Sequence, residues 1–130
     1  MQPQEIFDTV ATHLFTQGVQ AKKYNMDDVL AVCQYRGPNH TKCAVGCLLP
    51  DEFYFPDMEG ETISGLFSEN KWVLPDFFKP NLDLLRDLQE VHDADRNWET
   101  TERMKDKLNL VSDVYGISPV ILQKLKFTNR

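Results

Sequence analysis

Cys33, His40, Cys43 and Cys47 are the first residues in this chain whose types and spacing could do chemistry. They read C-x6-H-x2-C-x3-C. Zinc favours thiolate and imidazole ligands, and four of them close a structural site. The spacing lacks the paired C-x2-C knuckles of ordinary fingers and ribbons. The same residues therefore also fit buried free thiols, cysteine being among the most buried residue types. A second chemistry is nucleophilic. A cysteine nucleophile needs a base to take its proton and a third group to orient that base. Cys43 and His92 are the candidates for the first two roles. Asp93 is the sequence neighbour of His92, and adjacent side chains on a helix do not face each other. That leaves Asp51 or Glu59 as the orienting carboxylate. The alternative for His92 is a partly buried, hydrogen-bonded ring on a helix face.

Acidic residues gather at Asp51, Glu52, Asp57, Glu59 and Glu61. Paired carboxylates do acid–base work or bind Mg²⁺, but nothing in this spacing selects that over a solvated loop. Phosphate loops, zinc-protease helices and nucleophile elbows are missing from the sequence. Aromatics crowd the same region: Phe53, Tyr54 and Phe55, then Trp72, Phe77 and Phe78. Exposed aromatics in loops anchor interfaces, and the remainder would close the core. Tyr35, Arg36, Phe53, Tyr54, Phe55 and Glu59 make up the candidate binding surface.

These residues need elements to position them. Ile6, Val10 and Leu14 recur at helical spacing with Phe7 and Ala11 beside them, which predicts a helix over 4–17 stopped by Gly18. Residues 19–28 are polar and read as a connector. Residues 29–36 carry β-branched and aromatic residues and end in Gly37-Pro38-Asn39, a strand and a turn. Residues 42–49 are small and apolar and fit either a return strand or a short buried helix. Gly46 implies close packing there. Thr62 fits the cap of a short helix through Phe67. Pro75 and Pro80 rule out one continuous helix across 68–79. Pro80 then opens a helix with the stripe Leu84, Leu85, Leu88, Val91 and His92. Asn97 is placed to cap the next helix, whose stripe is Trp98, Thr101, Met104, Leu108, Val111 and Tyr115. Gly116 fits its left-handed end, and Ser118-Pro119 would open a final helix.

The chain has 130 residues, 42% hydrophobic and 26% charged, with eight Phe, four Tyr and two Trp. That suffices for a real core and predicts one globular domain over 1–130. The expected architecture is mainly α (α+β): about five helices with one short β-hairpin-like insertion. A net charge of −6 disfavours nucleic acid and anionic membranes. No run of apolar residues reaches membrane-spanning length. The N-terminus lacks the features of a secretory signal. An odd number of cysteines fits reduced thiols in a cytoplasmic protein.

Read together, several stretches are fairly specific. They are Cys33-x-Tyr35-Arg36-Gly37-Pro38, the run Lys42-Cys43-Ala44-Val45-Gly46-Cys47-Leu48-Leu49-Pro50-Asp51-Glu52-x-Tyr54, Met58-Glu59-Gly60, and Leu88-Gln89-x-x-His92-Asp93. Over roughly residues 30–115 the chain resembles a group of uncharacterised small proteins of bacterial and bacteriophage genomes. The resemblance implies that Cys43 is the characteristic cysteine and that the Cys47 position varies, which argues against a four-ligand zinc site. It implies no activity. By analogy with phage accessory proteins it suggests a factor that binds a host protein or a signalling small molecule.

Three functional expectations follow. The first is a non-enzymatic binding protein with a protein partner or a small-molecule ligand and no cofactor. The second is a cysteine-dependent hydrolase or transferase using Cys43, His92 and Asp51. The third is a zinc-stabilised module using Cys33, His40, Cys43 and Cys47. Whether Cys43, Arg36, Glu59 and His92 converge on one pocket separates them.

Overall fold

The computed structural model describes residues 1–24, 31–128 and 130, and it is mainly α. Among the described residues there are four α-helices: α1 (Pro3–Gln17), α2 (Ile63–Ser68), α3 (Leu82–Asp93) and α4 (Thr101–Tyr115). Short 3₁₀ turns connect them. One apolar cluster joins all four helices, and α1 lies at its centre. Ile6, Phe7, Val10, Ala11, Leu14 and Phe15 are all buried, so α1 packs against α3, the Gly46–Leu48 turn and the C-terminal turn.

The helix ends follow local rules. Gln2 donates its backbone N–H to Glu5 at 3.1 Å. Gly18 takes up φ 74° and donates to the Leu14 carbonyl, the left-handed stop that glycine supplies without a Cβ penalty. Thr62 accepts from the Gly65 N–H and caps α2. The expected stripe of α3 is buried throughout, as are Met104, Leu108 and Val111 of α4.

Four expected features differ. First, the cap of α4 is Thr100, which accepts from the Arg103 N–H, and not Asn97. Asn97 is buried in a 3₁₀ turn and donates to the Val91 carbonyl at 3.0 Å. It thereby satisfies a carbonyl that the end of α3 leaves open. Second, the final helix is the 3₁₀ turn Val120–Lys124, in which only Leu122 is buried. One anchored side chain is too little to hold an isolated α-helix. Third, Leu82 begins α3, and Pro80 sits in the 3₁₀ turn before it.

The fourth difference concerns the strands. Residues 29 and 30 of the expected strand, and 25–28 of the expected connector, lie outside the described residues. Strand β2 (Ala31–Cys33) pairs antiparallel with β1 (Lys22–Tyr24), which lies upstream. Of the two readings of 42–49, return strand or short buried helix, the structure takes the helical one: the segment contributes one bridge, Arg36 to Lys42, and then coils into the 3₁₀ turn Gly46–Leu48. Gly46 accounts for this. A Cβ there would stand 2.0 Å from the Tyr35 carbonyl oxygen, so residue 46 packs directly on the backbone of residue 35. The two-stranded ribbon is clamped to the C-terminal end of α3. Lys22 pairs with Asp95 just past α3, while within the ribbon the Ala21 carbonyl accepts the Gln34 N–H at 2.8 Å.

Candidate functional site: a cleft beside the His92–Asp93 pair

The last turn of α3 carries the site. His92 is fully buried. Its Nε2 accepts the backbone N–H of Ala21 at 3.0 Å. A ring nitrogen that accepts carries no proton, so the proton lies on Nδ1. Nδ1–H in turn donates to Asp93 Oδ1 at 2.8 Å. The His92 carbonyl, otherwise an orphan of the helix end, accepts from Trp98 Nε1 at 2.8 Å and from Gln20 Nε2 at 3.0 Å. The Trp98 ring lies edge-on to the imidazole. Backbone and ring of His92 are thus both engaged.

Sequence adjacency argued against Asp93 as the partner of His92, and the structure corrects this. α3 ends at Asp93, and the chain turns away at Ala94 with φ −84° and ψ 111°. The carboxylate is thereby released from the helix-face geometry and folds back on the ring. Gln89 Nε2, one turn earlier, also donates to Asp93 Oδ1 at 2.8 Å, an i, i+4 amide–carboxylate pair. The Cys33 thiol is a third donor. Burial pushes this carboxyl up, but the bonds from His92, Gln89 and Cys33 outweigh it and hold the group below its ordinary range.

The thiols are poor nucleophiles. Burial, then the Asp93 carboxylate, pushes Cys33 up to about 12. Burial pushes Cys47 up to about 12 as well. Its thiol donates to the Ala44 carbonyl at 3.1 Å. Cys43 is buried and shifted further in the same direction by the same cause; its sulfur accepts the Gly46 N–H at 3.2 Å. Reactive cysteines sit in electropositive, partly exposed surroundings that lower the pKa, and none of these environments is of that kind.

The proposed triad of Cys43, His92 and Asp51 is not assembled. Both nitrogens of His92 are occupied elsewhere. Asp51 is highly exposed on the 51–53 turn, where it pairs with Arg36 at 2.7 Å. Nor are the four proposed zinc ligands gathered, since His40 is exposed in a turn at φ 63°. Cys33, His92 and Asp93 do bring ligand atoms within 4.8 Å of one another. Ligation by Nδ1 would move the His92 proton to Nε2, where it would face the Ala21 N–H. Two donors cannot share that contact, so this trio does not suit a metal.

The candidate binding residues fall into a brace and a patch. Glu59 is the centre of the brace. It accepts the N–H groups of Tyr35 (2.8 Å) and Arg36 (3.1 Å) and the Tyr54 hydroxyl (2.7 Å). Arg36 donates to the Leu49 carbonyl and lies 4.5 Å above the centre of the Tyr54 ring. These groups fasten the 49–59 loop to residues 35–36. Phe53 is half-buried against the core. The patch is Phe55, half-exposed and stacked on Trp72 at 5.8 Å, with Val73 exposed beside Trp72 in sequence. Cys43 alone of the four potentially converging residues reaches the cleft.

That cleft has a volume of about 690 Å³ and lies between α2, α3 and residues 33–35. Its wall includes Cys33, Tyr35, Cys43 and Ile63, and Glu61, Gln89, Glu90 and Asp93 supply polar groups. In sequence, Asp93 is weighed as a partner of His92 and set aside, and Gln89 enters only within the Leu88–Asp93 motif. The available signal was the Gln–Asp pair at i, i+4 close to a histidine. No family model, curated protein or solved structure matches the chain.

Proposed function

We propose that this chain is a non-enzymatic binding protein that takes a small molecule into the cleft beside Asp93. One observation carries the reading: the histidine and the cysteines that were the candidate base and nucleophile are held in structural bonds or kept protonated, while an open cleft stands next to them. His92 spends its only lone pair on Ala21, and Cys33 and Cys43 are thiols. A cleft of this volume is in the range of small-molecule sites, which combine apolar walls with a few convergent polar groups. The resemblance to bacterial and bacteriophage proteins is consistent with an accessory factor that senses a ligand and modulates a host component.

Iodoacetamide kinetics at pH 7.5 test the reading. All three cysteines of the folded protein should alkylate far more slowly than free cysteine, with full reaction only after denaturation. Rapid alkylation of Cys43 or Cys33 in the native state would favour the cysteine-enzyme reading instead.

The Phe55–Trp72 pair favours a second binding surface, for a protein. The turn residues Asp51, Glu52 and Asp57 flank it in sequence and are all exposed. An exposed aromatic pair of this kind suits a protein partner, and Lys71, 5.0 Å over the Trp72 ring, gives the patch a cation of its own.

A further inference from the structure

We infer that the cleft recognises an organic cation, an ammonium or amidinium group on a compact apolar body, with Asp93 as its counter-ion. This rests on the small-molecule reading above and adds the chemical class.

The charge inventory of the cleft is one-sided. Glu61, Glu90 and Asp93 line it, against Arg86. Arg86 is exposed and pairs with Asp83 at 3.0 Å, so its charge is already matched. Glu90 and Asp93 both sit in the last turn of α3, where the unpaired carbonyl ends of the helix carry negative potential. Carboxylates at that end oppose the helix dipole. Asp93 is held by the neutral donors Gln89 and His92, but among the described residues no Lys or Arg side chain is paired with it or with Glu90. A bound cation would supply the missing charge.

Asp93 is built for this role. Its side chain is 45% exposed, so one part reaches the cleft while the rest is anchored. Gln89 and His92 fix the carboxylate by 2.8 Å bonds, and buried His92 is itself fixed by Ala21. Gln89 is fixed in turn, since its Oε1 accepts the Val45 N–H at 3.0 Å. This is a counter-ion with a supporting shell, oriented before any ligand arrives. The apolar body has a place as well. Ile63, Tyr35 and Cys43 form its wall, and the Tyr35 hydroxyl is tied to the Glu61 carbonyl, which leaves the ring to face apolar groups.

Three probes of one shape separate the possibilities: benzylamine, benzyl alcohol and benzoate, each titrated at pH 7 by ¹H–¹⁵N NMR. Benzylamine should shift the amides of Cys33, Tyr35 and Gln89 and bind about tenfold more tightly than benzyl alcohol, with benzoate weakest. Asp93→Asn should erase the preference for the amine. Glu90→Gln, at an exposed position, should weaken it by ~2-fold to 3-fold and covers the case in which Asp93→Asn fails to fold. Ser64→Trp, at the exposed mouth on α2, should block the amine. Equal binding of benzyl alcohol or benzoate in the cleft, or an amine preference that survives both charge substitutions, would overturn the cation assignment alone. If none of the three probes perturbs the cleft, the small-molecule reading fails with it.

Discussion

The backbone N–H of Ala21 points at Nε2 of His92 across 3.0 Å and fixes which nitrogen of the ring carries the proton. From that contact the order of the site follows. The proton goes to Nδ1, Nδ1–H goes to Asp93, and Asp93 is held charged at the edge of the cleft. His92 also joins three parts of the chain, since Ala21 lies just before β1, Trp98 lies before α4, and His92 itself stands in the last turn of α3. A residue placed to do acid–base chemistry is used as a joint.

His92→Ala should therefore act on stability. It removes a fully buried ring, leaves the Ala21 N–H without an acceptor and frees Asp93. The expected loss is about 3–5 kcal/mol in chemical denaturation, the sum of a cavity and an unsatisfied buried donor. A loss below about 1 kcal/mol would show that the ring is not a joint.

Gly46→Ala should destabilise by about 3 kcal/mol or lower the yield of folded protein, because the new Cβ would meet the Tyr35 carbonyl oxygen. Gly60→Ala is the control for crowding. Nothing lies within 4 Å of a Cβ there, so its cost comes only from φ +87°, about 1 kcal/mol. Thermal denaturation of the two variants side by side reads the difference.

Phe55→Ala should leave stability within about 1 kcal/mol of the parent, since the ring is half-exposed and touches the core little. Glu59→Ala should cost more, about 2–4 kcal/mol, since two backbone N–H groups and a hydroxyl lose their acceptor. The reverse ranking would mean that the aromatic patch is core and the brace is decoration.

Stability should fall in two steps on acidification. Burial lowers His13 from 6.5. Its unfolded form therefore binds the proton first, and the stabilisation present above 6.5 is lost as pH drops toward the folded value. Asp93 lies below 3.8 in the folded state, so its contribution is complete above 3.8 and lost as pH falls through the folded value. His13→Gln, which retains a donor to the Lys42 carbonyl (2.8 Å in the parent), should flatten the first step, read as Tm between pH 5 and 7. An unchanged slope would remove His13 from the account.

Much of the frame was legible in the residues. Periodicity located α1, α3 and α4 because each buries one stripe, and Gly18 and Gly116 marked two left-handed ends. Gly46 announced a close approach, though not that the approach would prevent a return strand. Pairing of β2 with the polar Lys22–Tyr24 segment carried no apolar alternation to reveal it. Asn97 and Thr100 are both good caps by type, and the choice was made by the tertiary demand of the Val91 carbonyl. The site was harder to read for the same reason. Asp93 was set aside by a rule for helix interiors, yet it stands where the helix ends. Its donors come from β2, from one turn back and from a neighbour, a convergence that spacing alone does not encode.

The most direct test is the tautomer of His92, read from long-range ¹H–¹⁵N couplings of the imidazole at neutral pH in the folded protein. The account predicts a ring protonated on Nδ1 alone, with Nε2 at the shift of a hydrogen-bond acceptor. A ring protonated on Nε2 would free Nδ1 as base or ligand and would contradict it.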